Sequence, residues 1–297
     1  MSYGNYYGPS DDNRGPNLRV IAAIIIAVIS IGIYSFQTQV NPVTGKTQHI
    51  AMSPSEEKAL GLQAAPEMAA QMGGQIDPSS DLRARLVQVV GRRLVQRSDA
   101  NRSEYVDNYN FYLLNDPETI NAFALPGGQI FITLGLLEKM TNEAQLAGVL
   151  GHEIGHVVGR HSAAQMAKGK LGQMLTLAVG VGASGENDNG RKAQMIAALV
   201  NQVTQLRFSR EDESEADQFG LRYMAQSGYD PTAMLDVMQI LKDASRGSHQ
   251  PEFLATHPLP ETRLHELQDI LARDYPNGVP DYLTLGQRLE YGRPLGR

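Results

Sequence analysis

Gly151-His152-Glu153-Ile154-Gly155-His156 carries the pattern H-E-x-x-H. Two His four positions apart stand on one face of a helix, so their imidazoles can converge on one zinc ion. The Glu beside the first His is placed to hold a metal-bound water and take its proton. The flanks agree with a helix. Thr141-Asn142 offers a cap, with Gln145 three residues after Asn142 as a partial capping box. Leu146, Val149, Leu150, Val157 and Val158 then form an apolar stripe at helical spacing, so the His pair sits mid-helix with its back against a core. The competing reading is a metal-free helix with two His on a polar face. Residues elsewhere in the chain weigh against it.

The chain has 297 residues, 42% hydrophobic and 20% charged, a composition that suits one large globular domain or two small ones. With a net charge of −6 and no basic block, no nucleic-acid partner is expected. There are no cysteines, which excludes disulfides, thiol catalysis and Cys-type structural zinc. Any transition-metal site must therefore be built from His and carboxylates.

Residues 1–17 are rich in Tyr, Gly, Asn and Pro and read as a disordered tail. Val20 to Val40 runs without a charge, and its strongly apolar part, Val20–Phe36, approaches the length of a membrane-spanning helix. A signal peptide would have a shorter apolar region and a small-residue cleavage site, which is not seen. The reading is a transmembrane anchor over 18–37. Arg14 and Arg19 lie at one end and Tyr34 and Phe36 at the other, which puts the N-terminus in the cytoplasm and the rest outside it, on the periplasmic side.

A polar linker, 38–52, leads into the main domain, 53–275. Ser53-Pro54-Ser55-Glu56 opens a helix that runs to about Met72, and a second helix fits Ser80–Gln96. Tyr109–Leu114 reads as a strand. In Asn121–Thr133 the turn Pro126-Gly127-Gly128 precedes a strand, Gln129–Thr133. An extended peptide is bound through its backbone at an exposed sheet edge, and a strand just before the His helix is well placed to offer one.

Leu171–Gly185 is apolar and Gly-rich, and Gly180, Gly182 and Gly185 have the spacing of a dinucleotide fingerprint. No helix begins there to receive a pyrophosphate, so no nucleotide is expected. Lys192–Gln226 reads as one long helix. Within it Glu213 and Asp217 lie at i and i+4, so one carboxylate can bind the metal while the other orients a ligand His. Glu211 and Glu215 point elsewhere and read as solvated. Helices fit Thr232–Ala244 and Glu261–Arg273, separated by a loop containing His257-Pro258. Residues 276–297 have no clear period and read as a tail. His161 is out of register with the longer H-E-x-x-H-x-x-G-x-x-H motif, whose third His would fall at Ser162. On a continuing helix it would also leave the face of His156, so it is not expected to be a ligand; a distant Glu is.

Taken together, Asn121-Ala122-Phe123-Ala124-x-Pro126-Gly127-Gly128, His152-Glu153-x-x-His156, Glu213-x-x-Ala216-Asp217 and His257-Pro258 followed by Arg263 resemble a known family. It is the zinc metallopeptidase family that includes the CAAX prenyl endopeptidase, the heat-shock protease HtpX, the periplasmic protease BepA and the mitochondrial inner-membrane stress protease. The resemblance covers roughly Ser53–Arg273. It implies one Zn²⁺ per chain on His152, His156 and Glu213, with Asp217 supporting a ligand from behind. It implies that His257 lies near the metal, either as a fourth ligand in a closed state or against the substrate carbonyl, with Arg263 six residues on. It also implies substrate binding along Asn121, Ala122, Phe123 and Ala124. One apolar span makes the chain look closer to the single-anchor or soluble periplasmic members than to the multi-span ones.

The expected fold is therefore α+β, mostly helical and zincin-like, with a small sheet beside the His helix. The expected function is hydrolysis of protein substrates by a membrane-anchored zinc endopeptidase in membrane or envelope quality control. Glu153 would act as general base, with His257 and Arg263 as further catalytic candidates. The rival is an inactive metal-binding relative that acts as a chaperone or assembly factor.

Overall fold

The computed structural model describes residues 18–50, 52–169, 206–246, 251–258 and 261–289, with side chains described from residue 24 onward. The Gly180 fingerprint, the apolar stretch 171–185 and the tail 1–17 lie outside these residues.

The architecture is mostly helical with two small sheets, an α+β arrangement. Helix α1 (Leu18–Phe36) is followed at once by a short hairpin, β1 (Thr38–Val40) and β2 (Thr47–His49). Among the described residues no helix is long and apolar enough to cross a membrane. The described part of α1 nevertheless leaves Ile24, Ile25, Val28, Ile29, Ile31 and Ile33 exposed.

Helix α2 (Pro54–Gln71) begins where Ser53, Pro54 and Glu56 predict, with a complete capping box between Ser53 and Glu56. Helix α3 (Leu82–Arg97) is capped by Asp81, whose carboxylate accepts from the amides of Arg83 and Ala84. Strands β3 (Asn110–Leu114), β4 (Ala122–Leu125) and β5 (Gln129–Thr133) form a sheet in the order β3-β5-β4. β3 runs parallel to β5, and β4 antiparallel to it. The β4–β5 turn requires positive φ at Gly127 (81°) and Gly128 (106°), which explains the Pro-Gly-Gly sequence. Contrary to expectation, Gln129–Thr133 is not a free edge. It is the central strand, paired on both sides and wholly buried; the edges of the sheet are β4 and β3, the latter bridged at its end by Gln75 opposite Leu114.

A single turn, α4 (Leu134–Leu137), leads to α5 (Glu143–Val158), the His helix. Every residue of α5 is buried. Helix α3, the sheet, α6 (Arg210–Gln226) and α7 (Ala233–Ala244) pack around it. The short α8 (Glu252–Thr256) and then α9 (Glu261–Asp274) follow. The expected long helix 192–226 is also corrected: α6 starts at Arg210, because Ser209 and Asp212 form a capping box that stops helix propagation toward the N-terminus.

Residues 284–289, which the sequence presents as part of a tail, strap the start of α5. The Glu143 and Ala144 amides donate to the carbonyls of Gln287 and Leu285 at 3.0 Å each, and Leu289 N donates to Thr141 O at 2.8 Å. The two α5 amides belong to the first turn of a helix and have no partner within it.

Candidate active site

Asn142 opens α5 by accepting from the Gln145 amide at 3.0 Å, as its position before the apolar stripe predicts. Two turns later the helix presents His152 and His156, whose Nε2 atoms lie 3.0 Å apart. Helix α6 crosses α5 at close range. A Cβ on Gly155 would stand 3.0 Å from the Cα of Ala216, and one on Gly151 would stand 3.3 Å from the Cα of Gly220. This approach carries Glu213 to the His pair, with Oε2 3.6 Å from His152 Nε2 and Oε1 3.5 Å from His156 Nε2.

His257, at the end of α8, enters from a third direction. Its Nδ1 is 2.9 Å from Glu213 Oε1 and 3.4 Å from His152 Nε2. Ligand atoms of His152, His156, Glu213 and His257 all lie within 4.8 Å of one another, and all four residues are buried. This donor set fits a divalent metal. Two imidazole nitrogens on one tetrahedral ion, at bonds of about 2.0–2.1 Å, stand roughly 3.3 Å apart, close to what the His pair shows.

Glu153 is 1% exposed, and neither of its carboxylate oxygens has a hydrogen-bond partner; His257 Nε2 is also unpartnered and lies 3.6 Å from Glu153 Oε1. Burying such a group without a partner is costly in a site that does not use it. Burial raises the Glu153 carboxyl above its usual range, against the pull of His257 and His152. For Glu213, burial alone would do the same, but His257, His156 and Arg263 together hold it well below that range. Burial holds the His156 imidazole well below its ordinary value and so neutral, with a lone pair to offer. His152 is shifted upward: burial opposes its charge, but Asp217 and Glu213 outweigh that.

Asp217 sits behind His152, with Oδ1 2.9 Å from Nδ1. Arg263, reaching in from α9, grips the same carboxylate at both oxygens, Nε to Oδ2 at 2.8 Å and Nη2 to Oδ1 at 2.7 Å. Its Nη1 lies 2.5 Å from Glu213 Oε2 and donates to Pro258 O at 2.9 Å. These bonds occupy the guanidinium on both carboxylates. It therefore aligns Glu213 and Asp217, and does not stand free to meet a substrate oxyanion.

Ala122, Phe123 and Ala124 lie on the edge strand β4, which packs against α5. Phe123 stacks on Phe131 at 4.9 Å, and Asn121 just before the strand is buried, its amide donating to Thr133 Oγ1. His161 is not among the converging donors. It meets His156 from behind, Nδ1 to Nδ1 at 2.9 Å, because α5 ends at Val158 and the chain turns back at Arg160. Glu215 departs from the solvated role expected of it: its side chain is only 15% exposed, 3.4 Å from His161 Nε2 and 2.9 Å from Lys46 Nζ. No spacing rule links residue 46 to residue 215. The visible signal is a Gly-Arg pair that breaks the helix directly before His161.

Residues 81–271 match the model of peptidase family M48. Over 262 residues the chain is 33% identical to the beta-barrel assembly-enhancing protease of Yersinia pestis, covering 84% of this chain and 51% of that protein. The Escherichia coli K12 protein of the same name is 30% identical over 84% of this chain and 51% of its own length. The mitochondrial metalloendopeptidase OMA1 of Schizosaccharomyces pombe is 30% identical over 81% of this chain and 68% of its own. The chain thus spans about half the length of the beta-barrel assembly-enhancing proteases it matches. A match over most of the folded chain, on the same segments that bring two His, a Glu and a third His to one buried point, means that this chain belongs to peptidase family M48.

Proposed function

We propose that the protein is a zinc endopeptidase of protein substrates, with His152, His156 and Glu213 as the metal ligands and Glu153 as general base. The observation that carries this reading is the buried, unpartnered Glu153 carboxylate beside three converging donors. When bound, the zinc supplies a Lewis acid that polarises a scissile carbonyl and lowers the pKa of a bound water. The protein's own residues do the rest. Glu153, its affinity for protons raised by burial, takes the proton of the attacking water and passes it to the leaving amine. Asp217 fixes the ring of His152, and Arg263 holds Glu213 and Asp217 in place. The edge of β4, with Asn121, Ala122, Phe123 and Ala124, pairs with the extended substrate backbone.

Glu153→Gln tests this directly. It is expected to retain one zinc per chain while peptide hydrolysis falls by about 10²–10⁴-fold. Wild-type turnover of casein by this variant removes Glu153 from the mechanism.

His257 favours one refinement. With Nδ1 among the donors it completes a four-residue set, the composition of a closed site. The described conformation is therefore a resting one, and His257 must leave before a substrate carbonyl can enter. The alternative, a metal-stabilised assembly factor, keeps His257 in place permanently. His257→Ala separates the two: casein hydrolysis maintained or increased supports a gate, whereas a zinc-loaded protein without any turnover, matching wild type, supports the assembly factor.

The exposed aliphatic face of α1 supports a membrane anchor, and Arg14 and Arg19 at its N-terminal end support an orientation with the peptidase domain on the periplasmic side. The names of the relatives, one class assembly-enhancing and one mitochondrial, support a role in quality control of membrane or envelope proteins.

A further inference from the structure

The end of α5 is held by an element far away in sequence. Val158 and Gly159 have carbonyls that no later turn of α5 can satisfy. The β1–β2 hairpin supplies both partners: Asn41 Nδ2 donates to Val158 O at 2.7 Å, and Gln48 Nε2 donates to Gly159 O at 2.5 Å. The next residue, Arg160, has φ +56°, the one positive value at a non-glycine among the described residues. Its guanidinium, 3% exposed, enforces that turn. It donates to Gln39 Oε1 of the hairpin at 2.7 Å, to Met52 O at 2.8 Å, and through Nε to Glu57 Oε1 at 2.9 Å.

The left-handed turn swings His161 back under His156, and the hydrogen bonds between them then fix both tautomers. If His156 Nε2 faces the metal, its proton is on Nδ1. His156 Nδ1 therefore donates to His161 Nδ1, 2.9 Å away. His161 must accept there, so its own proton is on Nε2, which faces Glu215 Oε2 at 3.4 Å. Glu215 in turn is paired with Lys46, on the turn of the hairpin, at 2.9 Å. The two metal-facing imidazoles are thus supported differently. His152 has a carboxylate directly behind it, whereas His156 has a second imidazole between it and its carboxylate.

We propose that His161 is a positioning residue for His156, and that the hairpin, through Arg160 and through Lys46 and Glu215, sets how well His156 binds metal. The proposal rests on the reading of His156 as a ligand. Groups behind a ligand His fix its tautomer and ring orientation, and losing one typically costs 10–100-fold in metal affinity.

Two variants of the full chain separate positioning from packing. His161→Phe keeps a ring of similar size and removes the acceptor. His161→Asn loses the ring but places Oδ1 where Nδ1 stands, so it can still accept from His156. Zinc affinity is read by competition with a chromophoric chelator, and the thermal midpoint of the metal-free protein is read in parallel. The expected result is about 10–100-fold weaker zinc binding in His161→Phe with little change in the metal-free midpoint, and most of that loss recovered in His161→Asn. The reverse order, equal losses in both variants, or no loss in either overturns the proposal. His156→Ala is the control for the underlying reading: if it binds zinc as tightly as wild type, His156 is not a ligand. If it loses zinc while His161→Phe does not, only the positioning role fails.

Discussion

The Asp217–Arg263 pair is buried yet well compensated: it is bidentate, 3–4% exposed at the side chains, and shared with two metal-facing groups. Burial would raise the Asp217 carboxyl, but Arg263 and His152 outweigh it and hold it below the usual range. The consequence for stability has a definite sign. A carboxyl lowered on folding contributes stability that is present above its unfolded value, near 4, and is lost as pH falls through its folded value. Urea unfolding of the metal-free protein from pH 7 downward should therefore show a loss below about pH 4, and Asp217→Asn should flatten that part of the curve. At pH 7 the same variant, which leaves Arg263 buried beside a neutral amide, should be less stable by about 3–5 kcal/mol. Residues of this kind were unevenly legible. His152, Glu153 and His156 could be read because one helix turn places them. Glu213 and Asp217 could be read as a pair because a chain without cysteine had to find carboxylates elsewhere, but which of the two faces the metal came from family resemblance. His257 and Arg263 carry no local periodic signal and were reached only through family resemblance.

The pairing of α5 with α6 depends on what is missing from their surfaces. Gly155 faces Ala216 and Gly151 faces Gly220, so the two backbones come close enough for Glu213 to reach the His pair. Gly155→Val would place methyl groups where a Cβ is already 3.0 Å from Ala216 Cα and O and from Phe219 Cβ. The helices must part, at a cost of about 1–3 kcal/mol in urea unfolding, and zinc affinity should fall with Glu213 displaced. Ala at the same position should cost less than Val in both measurements. Helix starts were legible where a Ser or Asn cap preceded an apolar stripe, as at Ser53 and Asn142, whereas the second helix, read from Ser80, begins at Leu82 behind the cap Asp81. The start of α6 was missed although Ser209 and Asp212 carry the same signal, because the apolar and charged residues before it continued a helical period. The end of α5 was harder still: Gly159-Arg160 marks a break, but nothing local predicts a left-handed Arg160, whose bonds to the hairpin and to Glu57 offset the backbone strain.

The whole molecule joins an aliphatic helix to a peptidase domain through a short hairpin. Ile25 and Ile29 on α1 are 52% and 54% exposed. Replacing both with Arg in the full chain is expected to abolish flotation with phospholipid vesicles, while zinc content stays at one per chain. Retained flotation would assign membrane attachment elsewhere. The arrangement of layers, helical with a small sheet beside α5, was legible from periodicity, but sheet order was not, because strand length and composition do not say which strand is central. The strap over Glu143 and Ala144 has a consequence for biogenesis. A ribosome makes residues 284–289 long after it has made α5, so the first turn of that helix lacks its outside acceptors until they emerge. A chain cut back to residue 283 should therefore lose both acceptors, and urea unfolding should show it less stable by about 1–3 kcal/mol.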